Sequence, residues 1–422
     1  MGILGAGVVG TGTLDLLARQ GSHIARSIDT QLAVRRVAVR DVNRPRGAAI
    51  DPAILTGNPW AVIEDPDIEI VVELIGGESP ARELISAALR AGKHVVTANK
   101  EVIAKHGLEL RAMARQAGVN LYYEASVAGG IPVISVLRHD LIANDITSIR
   151  AIINGTTNFI LTEMEQGRDY GDALEEAQRL GYAEADPRND VEAIDAAYKL
   201  AILSTLAFQT NILPDQVEHV GITELRAKDF SIAASMGYVI KLLATANVGG
   251  RGIEVSVRPT MIPHSHHLAN VKGVYNAVLF DGDEIDTFML YGRGAGARPT
   301  ASAVVADLCA IAHNLRRGVV DGVAVDFRER PVADFGDTES RFYLRLQVAD
   351  QPGVLAQIAQ LLAVEAISIA SVMQHETDDT ARLTEIVIMT HPAFERRMAS
   401  ALAAVRQLEV VGEVAAFIRV EK

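Results

Sequence analysis

The sequence predicts an α/β protein in three parts: a doubly wound parallel sheet, an α+β middle domain and a C-terminal ferredoxin-like domain. Three observations predict it. Strand-like and helix-like stretches alternate over residues 1–145, a glycine-rich turn joins the first strand to the first helix, and residues 341–422 repeat the order βαββαβ. At roughly 150 residues per domain, the 422 residues also suggest about three domains.

In the first part the candidate strands are 1–4, 32–40, 68–75, 93–97 and 119–124, with helices at 8–20, 79–91, 100–117 and 130–144. The first strand is short for the centre of a sheet, because only Met1 to Leu4 precede the turn, and a weakened sheet centre is expected. From 146 to 328 the pattern changes. Helical runs at 156–166, 171–180, 190–209 and 229–247 precede strand-like runs at 252–261, 273–281 and 284–291, and a helix at 299–315 is expected to return to the first domain. Residues 329–340 read as a linker, with Pro331, Gly336 and several charges. The last part has strands at 341–348, 367–375, 383–390 and 410–420, with helices at 353–363 and 392–406.

The glycine-rich turn is Gly5-Ala6-Gly7-Val8-Val9-Gly10, a G-x-G-x-x-G that opens a helix carrying Leu14, Leu16 and Leu17. Gly5 permits the tight turn, Gly7 lets the backbone approach a pyrophosphate, and Gly10 allows close helix–strand contact. Such a Rossmann-type turn sets the anion on the helix N-terminus. The second strand ends in Arg40-Asp41. A carboxylate there suits the ribose 2′-hydroxyl of NAD and an arginine suits the 2′-phosphate of NADP. Arg40 points to NADP, Asp41 leaves NAD open, and Arg44 and Arg46 read as a solvated loop.

Composition narrows the partners. The net charge of −13 gives no basic face for nucleic acid. No apolar run reaches roughly 18 residues and the N-terminus lacks a signal pattern, which argues against membrane insertion and secretion. The one cysteine, Cys309, lies in an apolar helical pattern and reads as a structural thiol in a reducing, cytoplasmic compartment.

The densest polar cluster on an apolar background runs from Gly181 through Glu184, Asp186 and Asp190 to Asp195 and Lys199. Asp195 and Lys199, at i,i+4 spacing, share one helical face. Their neighbours Ile194, Ala196, Ala197, Leu200 and Ala201 are apolar nearly all round, unlike those of a surface ion pair. A desolvated lysine oriented by a carboxylate suits proton transfer. Lys100, just after the strand 93–97, sits where open parallel sheets bind ligands. Glu124, Val127, Gly129 and Ile131 form a strand–helix turn that could equally hold a monovalent cation. Gly292-Arg293-Gly294-Ala295-Gly296 allows close backbone approach to a ligand, whereas His264, His266 and His267 read as loop residues without metal spacing.

From Gly181 to Lys199 the stretch G-Y-A-E-A-D-P-x-x-D-V-E-x-I-D-A-A-x-K resembles the signature of homoserine dehydrogenases. The N-terminal G-A-G-V-V-G, Thr97-Ala-Asn-Lys100, Glu124-Ala-Ser-Val-Ala-Gly-Gly-Ile-Pro, Asn154-Gly-Thr-Thr-Asn and Gly292-Arg-Gly-Ala-Gly support it, and residues 341–422, with Asp350-Gln-Pro-Gly-Val-Leu, resemble an ACT regulatory domain. The resemblance implies reduction of L-aspartate 4-semialdehyde to L-homoserine with NADP or NAD, in threonine and methionine biosynthesis. It implies Lys199 as proton donor, Glu184, Asp190 and Asp195 as substrate contacts, and Lys100 near nicotinamide and substrate. Ala6, Val8, Val9, Arg40, Gly181 and Gly296 fall at cofactor contacts, and Glu124, Val127, Gly129 and Ile131 at a sodium site. It further implies a homodimer or homotetramer and an amino-acid effector, threonine first. Asn189 departs from the pattern, since some members carry an acid there.

Overall fold

The computed structural model describes residues 1–46, 50–320, 327–375 and 383–421. Its first sheet is all parallel, in the order β3-β2-β1-β4-β5-β6. The strands are β1 (Gly2–Leu4), β2 (Arg36–Ala38), β3 (Leu55–Thr56), β4 (Ile70–Glu73), β5 (His94–Thr97) and β6 (Leu121–Tyr122). The helices between them are α1 (Val8–Ile28), α2 (Trp60–Ile63), α3 (Ala81–Arg90), α4 (Lys100–Ala117) and α5 (Val133–Ser135), the last continuing as a π-helical turn over Val136–Asp140. Strand order reverses on either side of β1, which opens a crevice at the strand C-termini. β1 has three residues, but β2 has the same length and all three positions pair on both sides. Ile3 and Leu4 are fully buried, so the short strand fills the sheet centre without a defect.

The middle region comprises β7 (Ile146–Ile152), α6 (Gly155–Glu165), α7 (Tyr170–Arg179), α8 (Arg188–Val191), α9 (Ile194–Ala207), β8 (Glu218–His219), α10 (Ala227–Ser235), β9 (Tyr238–Gly249), β10 (Gly252–Pro263), β11 (Tyr275–Gly282) and β12 (Asp286–Arg293). Three expectations change here. The strand β7 was not foreseen. The run 190–209 divides at Ala193, whose φ is +67°, into α8 and α9. The expected helix 229–247 is α10 followed by β9, divided at Gly237 with φ +83°. β9 lies mid-sheet and is buried along most of its length, so its side chains show no alternation. A short apolar run of that kind cannot be told from a buried helix by periodicity. The helix α11 (Ala297–Arg317) then returns to the first domain. Its Val304, Leu308 and Ile311 pack with Ile3, Val37, Val72 and Val96, so α11 covers one face of the parallel sheet.

The C-terminal part has β13 (Glu339–Ala349), α12 (Val354–Val364), β14 (Ile369–His375), β15 (Leu383–Thr390), β16 (Ala393–Phe394), α13 (Glu395–Val405) and β17 (Val411–Val420). The order β17-β13-β15-β14 is ferredoxin-like. It is not an appendage on a free linker. β17 pairs with β10 in parallel at Thr260↔Arg419 and Met261↔Val420, giving one sheet of 11 strands among the described residues. The supposed linker is itself stitched to β10: the Ile253 N–H donates to the Pro331 carbonyl at 2.9 Å and the Ala333 N–H to the Ile253 carbonyl at 2.9 Å. A fully buried Arg345 reaches across from β13, donating to Asp229 on α10 at 2.7 and 3.1 Å and to Glu385 on β15 at 3.0 Å. Among the described residues no helix is long and apolar enough to cross a membrane.

Candidate active site

The glycine turn lies at the mouth of the crevice. Gly5 has φ +101°, and a Cβ there would stand 2.7 Å from the Leu74 carbonyl oxygen. A Cβ at Gly10 would stand 2.3 Å from the Gly5 carbonyl oxygen, whereas at Gly7 nothing lies within 4 Å. Gly7 therefore presents open backbone at the N-terminus of a 21-residue helix, the arrangement a diphosphate needs. A cleft of about 830 Å³ opens from this turn, lined by Gly5, Ala6, Gly7 and Val8 on one side and by Arg40 and Asp41 on the other. Arg44 and Arg46 line it too. As the sequence suggests, this is a solvated loop: Arg44 is exposed and Arg46 half-buried, and the Arg46 guanidinium donates to the Arg44 carbonyl at 2.8 Å and to the Asp41 carbonyl at the edge of the cleft. Val9 turns into the core and Gly10 against the turn, and Lys100, Gly181 and Gly296 lie outside the cleft lining.

The second cluster is built on α9. Asp195 and Lys199 lie one turn apart with the lysine Nζ 2.6 Å from Oδ2 of the acid, and both residues are buried. Lys199 also donates to the Ile153 carbonyl at 3.0 Å, which leaves one of its three N–H bonds for another partner. Lys100, on the first turn of α4, pairs with the other oxygen, Oδ1. Asn99 fixes the start of α4: its side chain accepts from the Val102 N–H at 3.1 Å and donates to the Gly77 carbonyl at 2.7 Å. Two ammonium groups from different domains thus converge on one carboxylate. Burial pushes the Asp195 carboxyl up, but Lys199 and Lys100 outweigh it and hold it well below the ordinary carboxylate range. The same carboxylate raises the Lys100 ammonium, with burial opposing and Asp190 and Glu184 adding smaller pulls. Burial, reinforced by the charge on Asp195, raises the Asp190 carboxyl.

Glu184 is exposed beside this cluster, its peptide carbonyl held at 3.1 Å by the Gln178 side chain. Gly181, with φ +74°, ends α7 and leads into Tyr182, whose ring packs edge-on against Phe159 at 5.1 Å. Gly296, with φ +119°, is the N-cap of α11. Glu124 is buried and both its carboxylate oxygens are engaged, accepting from the Ile134 and Ser135 N–H groups at 2.8 and 2.7 Å. The Ile131 carbonyl accepts from the Val133 N–H at 2.8 Å. Ala128 and Gly129, just before it, have φ +55° and +54°. The set fits a cation only in part, and among the described residues no group of three or more His, Cys, Asp or Glu side chains could hold a metal ion.

Two further residues support the cluster and its surrounding loops. Asn154 caps α6 and donates to Asp190 at 2.7 Å and to Asp195 at 2.8 Å. Glu73, at the end of β4 and fully buried, accepts from the Thr97 hydroxyl at 2.6 Å and the Ile75 N–H at 2.7 Å, fixing the loop beside Asn99. Burial raises its carboxyl. The signal for Asn154 was its N-cap spacing ahead of an apolar run. A lone glutamate ending an apolar strand carries none.

Comparison with known proteins agrees with this geometry. The family model described as homoserine dehydrogenase matches residues 132–309, that described as homoserine dehydrogenase, NAD binding domain, matches residues 5–124, and the ACT domain model matches residues 342–410. The homoserine dehydrogenase of Corynebacterium glutamicum is 43% identical over 426 residues, covering 100% of this chain and 95% of its own. That of Pseudomonas aeruginosa is 44% identical over 429 residues, covering 100% and 98%. Among solved structures, a homoserine dehydrogenase from Thiobacillus denitrificans superposes with a TM-score of 0.93 at 43% identity, covering 100% of this chain and 97% of its own. A hyperthermophilic archaeal homoserine dehydrogenase in complex with NADPH superposes with a TM-score of 0.62 at 29% identity, covering 74% and 96%. The chain belongs to the homoserine dehydrogenases, oxidoreductases with an NAD-binding domain, and carries a C-terminal ACT domain.

Proposed function

We propose that the chain reduces L-aspartate 4-semialdehyde to L-homoserine, in threonine and methionine biosynthesis, with NADPH preferred over NADH. The single observation that carries the reaction is the meeting of the buried Lys199–Asp195 pair on α9 with the half-buried Lys100, which follows β5 at the carboxyl end of the parallel sheet. The bound dinucleotide supplies the hydride. Lys199, oriented by Asp195 and the Ile153 carbonyl, turns its remaining N–H toward the aldehyde oxygen and gives it a proton as negative charge develops there. Lys100 screens the same charge. Asp190 and Glu184 face the substrate ammonium.

Three arginines along the cleft, Arg40, Arg44 and Arg46, support the 2′-phosphate of NADPH. A monovalent cation at the turn 124–131 rests on the resemblance, and no step passes through it. The ACT domain supports feedback by an amino acid, threonine first. Assembly as a homodimer or homotetramer is supported by β12, an edge strand with Met289 and Tyr291 exposed. The acidic composition argues against nucleic acid as a partner, and the free thiol of Cys309 supports a cytoplasmic setting. The test is steady-state kinetics with aspartate 4-semialdehyde and each reduced nicotinamide, with and without threonine. Turnover with neither nicotinamide would end this reading.

A further inference from the structure

We infer that Asn154 is a positioning residue that keeps Asp190 and Asp195 in separate roles, its one amide nitrogen bridging the two carboxylates while its amide oxygen caps α6. The inference rests on the reduction proposed for this site. The Asn154 Nδ2 lies 2.7 Å from Asp190 Oδ1 and 2.8 Å from Asp195 Oδ2, so each of its two N–H bonds has its own carboxylate. The amide oxygen accepts from the Thr157 N–H at 2.9 Å and the Thr157 hydroxyl at 3.0 Å. Every polar atom of this buried side chain is engaged, and the network dictates which end is nitrogen and which is oxygen.

No other short side chain does both jobs. Serine caps a helix but offers one short hydroxyl, and aspartate caps a helix but adds a third negative charge. The bridge matters because of the charges around it. Asp190 faces Asp195 on α9, and Lys199 and Lys100 oppose that repulsion from α9 and α4. Lys100 is drawn in turn by Asp195, Asp190 and Glu184. Two carboxylates this close disfavour simultaneous ionisation unless a donor lies between them. With Asn154 in place, Asp195 Oδ2 receives Lys199 and the amide together, and Asp190 keeps a donor that favours its ionised form against burial and the charge on Asp195. Without it, Asp190 binds a proton at higher pH and Asp195 loses one of the contacts that aim it at Lys199.

The test is Asn154→Ser and Asn154→Asp in the full chain, both of which keep a capping oxygen. The readouts are kcat/KM for aspartate 4-semialdehyde against pH, the KM for NADPH, and a ¹³C-carboxyl NMR titration of Asp190. For Asn154→Ser, kcat/KM falls by about 10²-fold near neutrality, the acid limb of the profile and the Asp190 midpoint both move to higher pH, and the NADPH KM is unchanged. For Asn154→Asp, the new carboxyl donates only when protonated, so relative activity is greatest at the acid end and declines as pH rises. A loss by the same factor at every pH, or an Asp190 midpoint unmoved in both variants, overturns the inference. Absence of turnover in the wild type would instead remove the reaction, and the NMR midpoint alone would then decide the role of Asn154.

Discussion

Lys199 Nζ and Asp195 Oδ2 lie 2.6 Å apart on one face of α9, and Asp195 offers its second oxygen to Lys100 from the nucleotide domain. One carboxylate is thus the hinge pin between two domains and two ammonium groups. Replacing Asp195 by Ala leaves Lys199 buried beside a single carbonyl. The expected cost is about 3 kcal/mol of stability, together with loss of most turnover, since neither lysine keeps its aim. Urea unfolding of Asp195→Ala checks the first, and wild-type stability in that variant would show that the pair is energetically idle. The sign of the pH dependence is fixed by the depressed carboxyl. Its contribution is complete above the ordinary aspartate value and is lost as pH falls below it toward the folded-state value.

Arg40 reaches the cleft opposite the glycine turn, flanked by Arg44 and Arg46. A charged hydrogen bond to a 2′-phosphate is worth about 1.5–3 kcal/mol. Arg40→Ala should therefore raise the KM for NADPH by roughly tenfold or more and leave that for NADH unchanged. Equal effects on both cofactors would place Arg40 away from the 2′ position.

Lys241 is fully buried on β9, donating to the Val271 carbonyl at 2.8 Å, and burial lowers its ammonium to about 8. Between about 8 and the ordinary 10.5 the unfolded chain holds a proton that the folded chain has released, so stability from this group rises with pH across that window. The Asn158 side chain also donates to the Val271 carbonyl, at 3.2 Å, so removing the lysine does not orphan that acceptor. Lys241→Met should be more stable than wild type by on the order of 2 kcal/mol near neutrality, an advantage that shrinks toward pH 10. Denaturant melts at several pH values measure it, and a constant difference would contradict the assignment.

Arg345 joins the C-terminal domain to α10 through Asp229 with both residues fully buried. Arg345→Met should cost about 3–5 kcal/mol, because Asp229 is left charged and without its bidentate partner. The double variant Arg345→Met, Asp229→Leu should recover much of the loss. Because β17 also extends the sheet of β10, removal of residues 341–422 exposes an apolar strand edge. The truncated chain should aggregate, which makes point variants at this junction the better probe of effector response. A soluble, active truncated chain would show that the junction is dispensable.

The sequence showed some of this site plainly and hid the rest. Asp195 and Lys199 were readable because one helical turn separates them amid apolar neighbours. The glycine turn was readable because Gly5 and Gly10 each answer a separate steric demand while Gly7 leaves the backbone open. The meeting of Lys100 with Asp195 was not, since it depends on how α4 and α9 pack. Arg44 and Arg46 are the solvent-facing charges the sequence suggests, but their place on the rim of the cleft leaves no periodic trace. β9 was misread because a strand buried on both faces loses its alternation, and the union of β17 with β10 is a tertiary pairing between segments far apart in the chain.

The most direct measurement is the rate of NADPH oxidation at saturating aspartate 4-semialdehyde for wild type and Lys199→Ala, with NADPH affinity measured in parallel. The account predicts that kcat falls by about 10²–10⁴-fold while NADPH binding is retained. Turnover at the wild-type rate in Lys199→Ala would contradict it.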